Sequence, residues 1–199
     1  MLNVYLLRHG ETQYNADGNR YCGRTDICLT AKGLKQASLV FDQLRGKKID
    51  AVYASPLERA RRTAEIATGS KTVETDSRLI EVDFGNWEGR TKEEFMAENA
   101  FVWNAWMDDP GNSRAGGTGE TGNEVVKRVD AFYNEMLIRH ANGTILVVGH
   151  NGINRLYMAH KLGMNLKHYR RIVQDNSSIT LFELGSDGGF SLKKLNATG

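Results

Sequence analysis

Val4-Tyr5-Leu6-Leu7-Arg8-His9-Gly10-Glu11-Thr12 opens the chain with an apolar run that breaks abruptly into guanidinium, imidazole and glycine. The same change of character recurs twice. Ala51-Val52-Tyr53-Ala54 leads into Ser55-Pro56-Leu57-Glu58-Arg59, and Ile145-Leu146-Val147-Val148 leads into Gly149-His150-Asn151-Gly152. Short apolar runs bounded by turn residues read as buried strands. In an open α/β sheet, ligands bind beyond the carboxyl ends of the strands. Parallel pairing would gather the three polar clusters at one mouth, although they lie far apart in sequence. Two histidines and two arginines there read as a phosphate pocket with a nucleophile in it.

The rest of the chain fits that frame. Short strands are expected near 3–7, 50–54, 72–75, 144–149, 178–184 and 189–195, the last two joined by the turn-rich stretch 185–189. Thr30 can cap a helix with Leu34, Ala37, Val40, Phe41 and Leu44 on one face, ending at Gly46. Ser55 and Pro56 suggest an N-cap and a first helical position. Thr121 and Glu124 have capping-box spacing ahead of Val125, Val129, Phe132, Met136 and Leu137. Another helix should follow His150 and run to Gly163. A helical excursion over 91–108 carries Phe101, Trp103 and Trp106, expected in core or flap packing. The glycine-rich stretch 109–120 reads as a mobile loop near the mouth. Alternating strands and helices predict an α/β fold, a three-layer α/β/α arrangement around a mostly parallel sheet.

Size and charge narrow the function. The 199 residues predict a single domain over 1–199, with a substantial core. Apolar residues make up 40% and charged residues 25%, as in ordinary soluble domains. The net charge of +2 is spread along the chain, without the concentrated basic stripe of a nucleic-acid binder. No apolar run approaches a membrane span, and the N-terminal one ends at Arg8, so neither a membrane nor a secretory signal is expected. Cys22 and Cys28 lack zinc-ligand spacing and are expected as free thiols in a reducing cytoplasm. Oligomeric state leaves no trace in the sequence.

Within the clusters, His9 follows a buried strand and precedes a glycine that admits close backbone approach. A neutral imidazole is a competent nucleophile toward phosphorus if its other nitrogen is held as a donor. Arg8 and Arg59 offer planar forks for phosphoryl oxygens, Arg59 from the first turn of a helix whose free N–H groups favour anions. His150 can stabilise charge developing on those oxygens. An alkoxide leaves poorly, so an acid is needed. Glu81 sits among apolar neighbours that raise a carboxyl's pKa, with Asp83 and Glu11 as rivals. Neither a metal nor a cofactor motif accompanies these residues.

These motifs resemble the signature of the histidine phosphatase superfamily, the phosphoglycerate mutase-like fold. Arg8-His9-Gly10-Glu11-Thr12 with Asn15, then the stretch from Cys22 and Gly23 to Thr30, resemble its first two blocks. Ser55 to Ala60, Glu81 to Gly89, and Val147 to Gly152 resemble the others, in the family's order. The resemblance implies a phosphohistidine on His9 and hydrolysis of a small phosphomonoester. Arg8, Arg59 and His150 would hold the transferring oxygens, with Asn15, Cys22, Gly23 and Asn151 also at the substrate. Glu81 would act as acid and then base, with no metal or cofactor. Alpha-ribazole phosphate, sugar phosphates and phosphoglycerates are candidate substrates by that analogy. Two alternatives are a phosphoglycerate mutase dependent on 2,3-bisphosphoglycerate and a non-catalytic phosphate-binding module. Lys92 matches a mutase lysine. Phe84 stands where mutases have tyrosine, and Cys28 where many relatives have proline, leaving a thiol near the pocket. The short segment between Glu81 and His150 lacks the mutases' arginine pair and offers only Arg114. Hydrolysis is therefore expected. Arg20, Arg24, Trp87, Trp103 and Trp106 are further candidates for the pocket wall.

Overall fold

Strand β1 (Leu2–Arg8) lies inside a six-stranded sheet and puts the first polar cluster at its carboxyl end. The computed structural model describes residues 1–69 and 72–198. After β1 come α1 (Gln13–Ala16), α2 (Ala31–Leu44), β2 (Ala51–Ala54), α3 (Glu58–Ala67) and β3 (Glu74–Thr75). Then follow α4 (Lys92–Asp108), α5 (Gly122–Arg139), β4 (Thr144–Gly149), α6 (Asn151–Lys161), β5 (Ile179–Leu184) and β6 (Phe190–Ala197). The sheet order is β3-β2-β4-β1-β5-β6. Strands β1 to β4 pair in parallel, while β5 and β6 close the other edge antiparallel. Arg8 pairs with Gly149 at the last rung of the β1–β4 ladder, so His9 and His150 leave neighbouring strands side by side.

Period-two alternation sorts the core into two faces. Val4, Leu6, Ile145 and Val147 pack with Val125, Val129 and Phe132 of α5 and Ile153 and Tyr157 of α6. Leu7, Val52, Leu146 and Val148 pack with Val40 and Leu44 of α2 and Ala60 and Ala64 of α3. Each buried Val, Leu, Ile or Phe among them contributes about 1.5–3 kcal/mol relative to exposure. The result is the three-layer α/β/α architecture. Among the described residues no helix is long and apolar enough to cross a membrane.

Capping follows the sequence at most helices. Thr30 accepts from Gly33 N at the start of α2, and Thr91 with Glu94 and Thr121 with Glu124 form capping boxes for α4 and α5. Ser55 does not cap α3. Its Oγ accepts from Leu57 N, and Leu57 is still extended, so the helix begins at Glu58, whose N–H donates to Asp26 Oδ1 instead. The strand expected over 72–75 reduces to Glu74–Thr75. The buried stripe of α2 is narrower than expected: Gly33, Ala37, Val40 and Leu44 are inside, while Leu34 and Phe41 are exposed.

Trp103 and Trp106 are buried on α4, but Phe101 is 79% exposed, because α4 breaks at Asn99 and rotates that position to solvent. The stretch 109–120 is packed rather than loose. Glu120 N donates to Asp83 O, Ala115 N to Glu120 O, and Gly122 N to Pro110 O. Gly116 has φ +58°, and a Cβ there would lie 2.1 Å from Phe84 O. Only glycine lets the backbones approach so closely, and the loop thereby buttresses Phe84 from behind.

Candidate active site

His9 leaves β1 with its backbone N–H still in the ladder, donating to Gly149 O. Its Nδ1 lies 2.7 Å from Gly10 O. A carbonyl only accepts, so Nδ1 carries the proton and Nε2 of the neutral ring is left with its lone pair. Burial, and then the charges of Arg59 and Arg8, hold the imidazole pKa well below its usual value. The ring is therefore neutral at physiological pH. Gly10 N donates to Thr63 Oγ1, which donates in turn to Arg59 O.

His150 stands at the N-cap of α6, its ring centroid 5.1 Å from that of His9. Arg59 Nε donates to His150 Nδ1 at 3.2 Å, so the neutral ring carries its proton on Nε2, which is enclosed without a partner. Burial, then Arg59 and His9, depress this pKa too. Arg59 is fully buried, and its other nitrogens donate to the carbonyls of Thr25, Cys22 and Gly23. That loop is held from below by Glu88, whose carboxylate accepts from Gly23 N and Thr25 N.

Glu81 accepts from Val82 N, Gly152 N and Ile153 N at 2.9–3.0 Å, the last two from the first turn of α6. Those donors and the charge of Arg59 favour the carboxylate, whereas burial favours the acid. Burial wins, and the pKa is raised. Its rivals are elsewhere: Glu11 pairs with Lys32, and Asp83 accepts from Gly85 N. Arg8 donates Nη1 to Gln174 O and keeps an enclosed, unpartnered Nε, and burial lowers its pKa to about 10.

Of these groups Arg8, His9 and Glu81 open on a cleft of about 150 Å³. Arg8, His9, Asn15, Glu81, Asn151 and Gly152 line one part of it. Arg20, Tyr21, Cys22, Phe84, Arg155, Tyr169 and Arg170 line the remainder. Two neutral imidazoles of opposite tautomer, a protonatable carboxyl and an arginine suit transfer of an anionic group at a nitrogen.

The model of the histidine phosphatase superfamily (branch 1) matches residues 4–198. The chain belongs to that superfamily. It is 34% identical to phosphoserine phosphatase 1 of Hydrogenobacter thermophilus, over 100% of this chain and 93% of the relative. It is 35% identical to the adenosylcobalamin/alpha-ribazole phosphatase of Escherichia coli, over 82% and 80% of the two chains. A mutant phosphoserine phosphatase from Entamoeba histolytica, solved in complex with phosphoserine, superposes with a TM-score of 0.90 at 30% identity, covering 99% and 98%. The protein is thus an enzyme of the histidine phosphatase type.

In this histidine phosphatase the expected residues divide into those on the cleft and those behind it. His9, Arg8, Asn15, Cys22, Glu81 and Asn151 line it. His150 and Arg59 stand at the rear, fully buried, and Gly23 contributes a carbonyl to Arg59. The thiol at the cleft is that of Cys22, not Cys28, and burial pushes it up to about 11. Both cysteines are free. Of the wall candidates only Arg20 reaches the cleft. Arg24 pairs with Glu120, Arg114 bonds Gly119 O and Glu124, and Trp87, Trp103 and Trp106 are core. Sequence reasoning missed Tyr21, Arg155, Tyr169 and Arg170. It also missed Asn176, whose Nδ2 donates to His9 O and Asn15 Oδ1. Arg155 had a signal, one helical turn after Asn151 on the same face. Arg170 had none.

Proposed function

We propose that this enzyme hydrolyses small phosphomonoesters through a phosphohistidine on His9. The observation that carries the reading is the Nδ1–H···O=C bond to Gly10, which leaves Nε2 as a bare nucleophile in a buried, cationic setting. In the first step the Nε2 lone pair attacks phosphorus and the ester P–O bond breaks. Glu81 gives its proton to the departing alkoxide, a role favoured by its raised pKa. Arg8 and the His150 Nε2–H donate to the phosphoryl oxygens as charge develops, and Arg59 holds His150 in the donor tautomer. Asn15 and Asn151 orient the phosphoryl group from the cleft wall. In the second step water attacks the phosphohistidine, Glu81 takes its proton, and the N–P bond breaks to release phosphate. The names of the relatives support substrates of this kind, small phosphorylated metabolites.

The test is phosphate release by the enzyme and by His9→Ala across a panel. The panel holds an aryl phosphate, alpha-ribazole phosphate, sugar phosphates and 3-phosphoglycerate, with 2-phosphoglycerate formation followed alongside. The expected result is release that falls by at least about a hundredfold in His9→Ala with the fold intact. Interconversion of the phosphoglycerates with little release would make the enzyme a mutase, and release independent of His9 would remove it as nucleophile.

A further inference from the structure

One part of the cleft is left unused by phosphoryl transfer. Arg155 and Arg170 are both half-buried and both line it. The other half-buried arginines away from the reacting groups are neutralised: Arg20 by Asp17 and Glu94, Arg78 by Asp76 and Glu135, Arg90 by Glu98, Arg128 by Glu120. Among the described residues no carboxylate lies within ion-pair distance of Arg155 or Arg170. The single carboxylate on the cleft, Glu81, is already engaged by three backbone N–H groups. Nε of each arginine is enclosed and has no acceptor.

Aromatic rings hold the two guanidinium groups without cancelling their charge. Arg170 Cζ sits 4.7 Å from the Trp103 ring centroid and 5.5 Å from that of Tyr169, while Arg155 Cζ sits 5.2 Å from Tyr169. Arg170 Nη2 donates to Tyr21 OH at 2.7 Å. Two cations kept together and partly desolvated, with no counter-charge, repel one another. That tension is relieved when an anion enters. A guanidinium fork matches a planar carboxylate in two parallel bonds.

We propose that Arg155 and Arg170, with Tyr21, form a second anion site in the cleft, which takes a carboxylate carried on the alcohol part of the phosphomonoester. The inference rests on the reading of His9 as nucleophile and narrows its substrates to phosphorylated acids. The phosphoryl-transfer residues and the two arginines line one and the same cleft, so a single small molecule can reach both.

The experiment compares kcat/KM within matched pairs that differ only by the carboxylate: phosphoserine against phosphoethanolamine, and 3-phosphoglycerate against glycerol 3-phosphate. Wild type should prefer the acid of each pair by at least about tenfold, as one good charge-assisted contact gives. In Arg170→Gln and Arg155→Gln the ratio should fall to within about twofold of one, chiefly through KM. Arg170→Lys, which keeps charge but loses the fork, should lie between. It also serves if Arg155→Gln fails to fold, as judged by circular dichroism. Arg24→Gln, outside the cleft and paired with Glu120, should keep the wild-type ratio. A ratio near one in wild type, or one unchanged in the variants, overturns the proposal. So does an equal loss on acids, their partners and p-nitrophenyl phosphate, because the arginines would then serve the phosphate itself. Preference for fructose 1,6-bisphosphate over every carboxylate overturns it as well. Release from p-nitrophenyl phosphate that needs His9 keeps the underlying reaction standing through any of these failures, and its absence removes the reaction instead.

Discussion

At the scale of single residues, Glu81 is set by opposed effects of comparable size. Three backbone N–H donors stabilise its charged form, burial its neutral form, and the neutral form gains. In its proposed role as the acid for phosphoenzyme formation it must start protonated, so kcat/KM on alkyl phosphates should decline as pH rises through the raised pKa. Glu81→Gln should flatten that decline. It should also cost about a hundredfold or more on alkyl phosphates but under about tenfold on p-nitrophenyl phosphate, whose leaving group needs no proton. Equal losses on both would reassign Glu81 to a structural role. His9, Glu81 and Arg8 were legible in sequence because each sits next to an apolar strand or run. The tautomer of each imidazole was not, since it depends on Gly10 O for one ring and on Arg59, ninety-odd positions away, for the other.

Elements show where local signals suffice and where they fail. The capping box at Thr121 reads correctly from the sequence because both partners lie within one turn. The start of α3 did not, because its first N–H is taken by Asp26 from another loop. The start of α6 follows the same rule, since Gly152 N and Ile153 N are satisfied by Glu81. The stretch 109–120 looked loose by composition, yet its glycines serve close packing against Asp83–Trp87, which no local pattern encodes. Gly152 offers a test of the α6 junction. A Cβ there would lie 2.7 Å from Glu81 Oε1 and 2.9 Å from Val82 Cγ2. Gly152→Ala should push the carboxyl off its donors and lower kcat by about tenfold or more. Losing those caps should cost about 1 kcal/mol, seen as a fall in Tm of roughly 2–4 °C. Unchanged kinetics would mean that Glu81 does not need its seat on α6.

For the whole molecule, the two buried imidazoles make stability depend on pH. Their folded pKa values lie below the unfolded value of about 6.5, so between these limits the unfolded chain binds more protons. Stability is therefore complete above pH 6.5 and is lost as pH falls through the window beneath it, at up to about 1.4 kcal/mol per pH unit for each ring. Glu81 acts in the opposite sense, since its raised pKa favours folding at low pH and withdraws that support as pH rises above its unfolded value. Urea unfolding at pH 7.5, 6.5 and 5.5 should give a falling midpoint, with a shallower fall in His150→Asn. A midpoint rising toward pH 5.5 would contradict the burial of neutral rings.

The pairing of Arg8 with Gly149 has a wider consequence. Neighbouring strands stand about 4.8 Å apart in any sheet, and the imidazoles that follow them are separated by nearly that interval. The gap between the two rings is thus a dimension of the backbone ladder, and no side-chain choice tunes it. Tyr21, Arg155 and Arg170, by contrast, hang from a loop, a helix flank and the short 3-10 helix Leu166–Arg171, each replaceable on its own. Chemistry and selectivity are inherited separately in such a scaffold: a new alcohol can be accommodated by rewriting the wall while the reacting pair keeps its measure.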